Sequence, residues 1–278
     1  MSAGQLADKI TGKLTKNLTT YDLFKAAAVI LMIVDHVGYY FYPEETWFRV
    51  FGRMCVPIWF FLIGYARSRD LTWPIWAGMV ILVMGNMVVG LSIVPLNVLG
   101  SMIAVRLVID PLMRLMKQNA ETFMCISVVL LVLAIPSYSY TEYGTQGLAL
   151  AIFGYLMRHR PEIPGFKSAS ALIIGYAMFC VATFVALQML VFGFDQAEMM
   201  VLLHGIAAVY LLLYFFKPKE LPRLSAKLPE LVKSGVQFLG RHTLAIYVGH
   251  LLLFKGLGLV YQPDRFLFLN WTFFSVPT

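Results

Sequence analysis

Apolar stretches of about 20 residues recur along the whole of this chain, and few folds can accommodate them. In hydrocarbon every backbone donor and acceptor must be satisfied within the protein, which an isolated apolar segment achieves only as a helix. Candidate spans cover 23–41, 47–66, 73–91, 95–115, 122–137, 145–158, 169–190, 197–216 and 236–259, about nine transmembrane helices in all. The expected fold is all-α and polytopic. Composition agrees: 59% of residues are hydrophobic and 13% charged, where soluble domains carry about 25% charged residues. Residues 21–265 read as a single transmembrane domain, and the aromatic stretch 266–278 as a tail at the membrane interface.

Residues 1–20 are too polar to insert, with Lys9, Lys13 and Lys16 among them. Leu6, Ile10, Leu14 and Leu18 recur every fourth position, which places them on one side of a helix. An N-terminal amphipathic helix on the membrane surface is expected. No small-residue cleavage pattern follows the first apolar run, so that run is expected to stay as an anchor rather than be removed as a signal.

Loop charges orient the spans. Alternate loops are basic, carrying Arg67 and Arg69, then Arg114 and Lys117, then Arg158, Arg160 and Lys167, then Lys217, Lys219, Arg223, Lys227 and Lys233. The loops between them hold Glu44 and Glu45, Glu142, or Asp195 and Glu198. The positive-inside rule then sets the N-terminus in the cytoplasm and the C-terminus outside. The net charge of +7 resides in these loops, which removes the ground for reading it as a nucleic-acid footprint.

Ionisable groups inside the spans are the chemical signal. Asp35 and His36 are neighbours within 23–41, and a charge that deep costs roughly 2.5–3.5 kcal/mol on insertion scales. Arg53, Asn86, His204 and His250 also lie within apolar runs. At about 1.5 Å per residue these groups fall in one layer in the outer half of the bilayer. Asp35 and His36 point about 100° apart. One division has His36 facing a cavity while Asp35 pairs with Arg53 or orients an imidazole from another helix. The plainer alternative is a polar network that joins helices. Tyr247 lies one turn before His250 on the same face, and Arg241 and His242 suit an anionic ligand arriving from the cytoplasmic side. His204 reads as a packing histidine, Lys255 is expected to snorkel outward, Pro57 to kink its helix, and Arg106 has no evident role. Cys55, Cys125 and Cys180 are far apart, without metal-ligand spacing, and read as small core residues. There is no HExxH, no phosphate-binding glycine loop and no GxSxG.

Three blocks carry a family resemblance. Tyr21-Asp22-Leu23-Phe24-Lys25, followed by Met32-Ile33-Val34-Asp35-His36-Val37-Gly38-Tyr39, resembles the start of the TraX family. Arg53-Met54-Cys55-Val56-Pro57 through Phe61-Leu62-Ile63-Gly64-Tyr65 is similar to that family's next helix. Gly240-Arg241-His242-Thr243-Leu244-Ala245-Ile246-Tyr247-Val248-Gly249-His250 resembles a segment shared with broader membrane acyltransferases that use acyl-CoA. The middle of the chain is similar only as hydrophobic helices.

The resemblance implies an acetyltransferase of the bacterial inner membrane. It would move acetyl from acetyl-CoA, without a metal, to the N-terminal amine of a pilin subunit during conjugative (type IV secretion) pilus biogenesis. His36 is the first choice of general base and His250 the second. Asp35 would fix the imidazole tautomer and stabilise the imidazolium, and Arg53 would hold the oxyanion or complete the Asp35 pair. Arg67, Arg69, Arg158, Arg160 and Arg241 would hold the nucleotide, with Tyr247 beside the substrate. The partners implied are pilin and the bilayer, with no nucleic acid. Three alternatives stand beside this: O-acetylation of a glycan or lipid, a proton-coupled transporter, and a pilus assembly factor without enzymatic activity. Against the transporter, no inverted repeat or pair of broken helices is visible. An assembly factor would not need an Asp-His-Arg-His layer.

Overall fold

The computed structural model describes residues 15–274, so most of the expected amphipathic segment, up to residue 14, lies outside the described residues. The chain is 72% helix, and among the described residues β-pairing is confined to isolated bridges.

The first helix, α1 (Thr20–Phe41), opens on a reciprocal cap. The Thr19 side chain accepts from the Asp22 amide at 3.1 Å, and Asp22 accepts from the Thr19 amide at 2.9 Å, which satisfies two amides that a helix start otherwise leaves unpaired. The second apolar run breaks into α2 (Trp47–Gly52) and α3 (Cys55–Tyr65). The break falls at Arg53–Met54, four residues before Pro57, where the expected proline kink belongs: Pro57 has no N–H for the Arg53 carbonyl, which accepts from Val56 N–H at 3.2 Å instead. Pro57 itself sits in the first turn of α3, where a helix tolerates proline. The crossing of α2 over α1 depends on Gly52, because a Cβ there would overlap the Asp35 side chain and come within 2.5 Å of the Asp35 Cα.

The chain continues through α4 (Trp73–Val88), α5 (Val98–Met116), α6 (Ala120–Val132), α7 (Ala134–Tyr138) and α8 (Gly144–His159). It ends with α9 (Ala169–Phe192), α10 (Gln196–Tyr214), α11 (Pro222–Lys227), α12 (Glu230–Arg241) and α13 (Thr243–Tyr261). Five segments are long and apolar enough to cross a membrane: α1, the α2–α3 pair, α9, α10 and α13; α4 and α6 are shorter apolar helices. The expected count of about nine is therefore not reached on length and hydropathy. The run 122–137 divides into α6 and α7 at Leu133. Arg106, Asp110, Pro111 and Arg114 interrupt α5, and α8 has 16 residues. The last run, 236–259, crosses a second break at His242 between α12 and α13.

At the centre, α8 is buried continuously from Gln146 to Met157 and packs on α3, itself almost wholly buried. Small residues set the spacing. A Cβ at Gly64 would overlap the carbonyl oxygen of Ala151, and one at Gly154 the carbonyl oxygen of Phe61. Apolar burial gives helices in lipid little reason to associate, and close backbone approach of this kind replaces it. The final segment pairs with the loop before α5, through Ile93 N–H to Thr272 O at 3.1 Å and Val94 N–H to Phe273 O at 2.9 Å. Its aromatic side chains Phe268, Trp271, Phe273 and Phe274 are exposed.

Candidate active site

A cavity of about 1500 Å³ lies between α1, α3, α5 and the start of α13. It exceeds the ~300–1,000 Å³ usual for small-molecule sites. One end is lined by Lys25, Arg67, Arg106, Arg158 and Arg241. Asp35, His36, Glu142, Tyr143 and Tyr247 line the other. His36 follows Lys25 along α1 by about 16 Å at 1.5 Å per residue, so the cavity separates a cationic mouth from an interior site.

The two sequence-predicted histidines meet there. His36 Nδ1 lies 2.7 Å from His250 Nε2, and His250 Nδ1 lies 2.6 Å from the carbonyl oxygen of Ile246. A carbonyl only accepts, so His250 Nδ1 carries the proton and donates. His250 Nε2 is then the bare nitrogen of a neutral ring and accepts from His36 Nδ1–H. In the neutral pair this leaves the lone pair of His36 on Nε2. His36 lines the cavity, whereas His250 stands behind it. The Tyr247 ring packs 6.0 Å from that of His36, centroid to centroid.

Asp35 does something other than orient His36. Its carboxylate takes Arg49 Nη1 at 2.8 Å and Arg53 Nε at 3.3 Å, and no bond to His36 accompanies these. The expected tautomer-fixing role belongs geometrically to His250. The cause is the angular separation of neighbours on a helix, which turns Asp35 toward α2 while His36 faces α13. Arg53 donates from Nη1 to the Tyr143 hydroxyl and does not line the cavity. Asp35 and Tyr143 stand between it and any ligand. The hydroxyl of Tyr143, with its acceptor side taken by Arg53, keeps its own proton available to donate.

The cationic mouth differs in part from expectation. Arg67, Arg158 and Arg241 line it, but Arg69 and Arg160 do not. Arg69 instead closes the end of α3, donating to the carbonyls of Ile63 at 2.7 Å, Ala66 at 3.0 Å and Gly64 at 3.2 Å, with Asp110 at 3.3 Å. Free carbonyls at a helix end draw a guanidinium strongly. Arg241 is shared, because it also holds Asp22 at 3.2 Å and the Thr15 carbonyl at 2.8 Å. Arg158 donates to the Tyr65 carbonyl at 2.9 Å.

His204 and Asn86 do not join the site. His204 is exposed and bonds the Met200 carbonyl at 2.7 Å, and Asn86 donates to the Ser92 carbonyl at 3.0 Å. Lys255 does not snorkel. It is 4% exposed and donates to the Leu82 carbonyl at 3.0 Å.

Lys25, Arg49, Arg106, Glu142 and Tyr143 join the site without having been assigned to it from the sequence. Two had a signal: Arg49 is one turn before Arg53 on the same face, and Arg106 is a charge inside an apolar helix. Glu142 was visible only as a loop charge, and nothing marked Tyr143.

Fold and site together define a class, a helical membrane protein whose interior holds a large cavity with a histidine pair at one end and cations at the other. The chain belongs to the TraX family, whose model, described as "TraX protein", matches residues 20–258 and so covers every cavity group discussed above except Thr15 and Thr19. The chain is also similar to an uncharacterized protein of Rickettsia prowazekii (strain Madrid E), 31% identical over 148 residues, which are 52% of this chain and 59% of that relative. The similarity thus spans less than two thirds of the relative's length. No solved structure matches.

Proposed function

We propose that the protein transfers acetyl from acetyl-CoA to the N-terminal amine of a membrane-embedded pilin subunit. The observation that carries this reading is the His36–His250–Ile246 chain, which leaves an unprotonated imidazole nitrogen on a residue lining a cavity with a cationic mouth. Acetyl-CoA would enter from the cytoplasmic side, its phosphates held by Lys25, Arg67, Arg106 and Arg158. Its pantetheine arm would run inward toward His36.

The neutral α-amine attacks the thioester carbonyl carbon while His36 Nε2 accepts the proton that the nitrogen loses. Tyr143, positioned by Arg53, donates to the oxygen as it gains charge. The C–S bond then breaks, the electron pair leaves on sulfur, and the His36 imidazolium returns its proton to the departing thiolate. His250 keeps the His36 Nδ1 proton engaged throughout.

The test is acetyl transfer by the purified protein in liposomes, with labelled acetyl-CoA and a peptide bearing the pilin N-terminus. The expected product is an amide that resists hydroxylamine. A hydroxylamine-labile product would move the acceptor to a hydroxyl, and no incorporation under saturating acetyl-CoA would refute the reading.

A further inference from the structure

The cavity contains one carboxylate that this chemistry leaves unused. Four acidic residues line it: Asp22, Asp35, Asp70 and Glu142. Asp22 is held by Arg241 at 3.2 Å, Asp35 by Arg49 and Arg53, and Asp70 takes the Ser68 hydroxyl. The Glu142 side chain has neither an ion pair nor a hydrogen bond to a described side chain, and it is exposed to the cavity.

Its backbone is firmly placed. Glu142 N–H donates to the Leu96 carbonyl at 2.9 Å, and its own carbonyl accepts from the Ser101 hydroxyl. The next residue, Tyr143, has φ of +66° and starts α8 from the left-handed region. Tyr143 carries the hydroxyl that Arg53 holds. One short loop thus delivers to the cavity both a hydroxyl held by Arg53 and a carboxylate that, among the described residues, has no side-chain partner and only the Val98 backbone against it.

A carboxylate in such a place calls for a cation. An α-amine with a pKa near 8 arrives mostly as ammonium at pH 7, and an ammonium entering a low-dielectric cavity needs a counter-charge. An alcohol needs none. Resting on the acetyltransferase reading above, we infer that Glu142 binds the acceptor's α-ammonium, holds it against His36, and selects amines over hydroxyls. The amine gives its first proton up to bulk or to Glu142 before attack, and the nitrogen's second proton goes to His36 Nε2 as the amide forms. Loss of bulk solvation at this depth raises the Glu142 carboxyl above its ordinary range, with Arg53 and the Val98 backbone acting against that shift.

The experiment compares two acceptor peptides, one with the pilin N-terminal amine and one with an α-hydroxyl in its place, on wild-type protein and on Glu142→Gln. The expected result is a KM for the amine peptide raised roughly 10- to 100-fold in E142Q, the scale of one charge-assisted hydrogen bond. The KM values for the hydroxy peptide and for acetyl-CoA should stay unchanged. Glu142→Asp, which keeps the charge, should recover part of the amine preference.

An E142Q protein that loses acetyl-CoA binding or thermal stability while its amine-to-hydroxyl preference holds would assign Glu142 as a structural counter-charge to Arg53 and overturn the inference. Should E142Q not accumulate, the wild-type protein decides alone, and equal use of the two peptides overturns it. Wild-type protein that acetylates neither peptide refutes the acetyltransferase reading and this assignment with it. Activity on the amine with an unchanged KM in E142Q refutes this assignment only.

Discussion

Replacing His250 by alanine removes the acceptor that lies 2.7 Å from His36 Nδ1. The imidazole of His36 would remain lining the cavity, but nothing would then hold its proton on Nδ1. The loss is one hydrogen bond in a partly buried site, worth about 0.5–1.5 kcal/mol net. At 1.36 kcal/mol per factor of ten this lowers the transfer rate roughly 2- to 13-fold. His36→Ala removes the base itself and should cost roughly 10²–10⁴. His250→Gln separates the two roles, because a glutamine amide oxygen reaches about as far from Cα as the imidazole Nε2 and can only accept. That variant should recover most of what H250A loses. The assay is single-turnover acetyl transfer in liposomes, so that binding and product release do not mask the chemical step. If H250A falls as far as H36A and glutamine does not rescue it, His250 is the base and the proton assignment through Ile246 is wrong. If H250A is fully active, the bond from His36 to His250 has no part in catalysis.

Other outcomes follow from the same geometry. Asp35→Asn leaves Arg49 and Arg53 without their carboxylate and should destabilise the protein by roughly 3–5 kcal/mol, as losing one partner of a buried pair does; thermal unfolding in detergent showing no loss would contradict the pairing. Gly154→Ala forces a methyl into the Phe61 carbonyl and should cost at least about 1–3 kcal/mol, read as lost accumulation of folded protein. Arg158→Ala should raise the KM for acetyl-CoA with little change in kcat, whereas Arg69→Ala should lower stability and leave that KM alone. The reverse pattern would return Arg69 to the nucleotide site.

Hydropathy and depth made much of this molecule legible. Counting residues from the span ends placed His36 and His250 in one layer, and the two rings are in contact. Depth says nothing about azimuth, however. Asp35 and His36 share a layer but face different helices, so partner choice depended on the crossing of α2 that Gly52 permits. The same blindness explains Lys255: hydropathy sees a lysine near a helix end, while the structure turns it inward to the Leu82 carbonyl. Loop charges oriented the chain in the sequence reading, but a loop charge can serve a cavity as well as a topology. Arg69 went to a helix end, Arg67 to the mouth and Glu142 to the interior. The count of about nine spans is not confirmed, because an apolar run reports burial without saying whether lipid or protein does the burying. Residues 145–158 are apolar because α8 lies in the protein core.

The central position of α8 bears on how the protein is made. As a ribosome delivers the chain to the membrane, α3 emerges long before α8, and the small-residue face that will meet the Ala151 carbonyl at Gly64 has only lipid against it in the interval. Helix α8, at 16 residues, is short for an independent span, and its stable location is the slot beside α3. Insertion of the N-terminal helices is therefore an intermediate stage: the cavity lacks its Arg158 wall until the segment beginning at Gly144 docks, and its Arg241 and Tyr247 wall until α12 and α13 follow. A chain arrested between α7 and α8 would have His36 in place and no closed chamber around it.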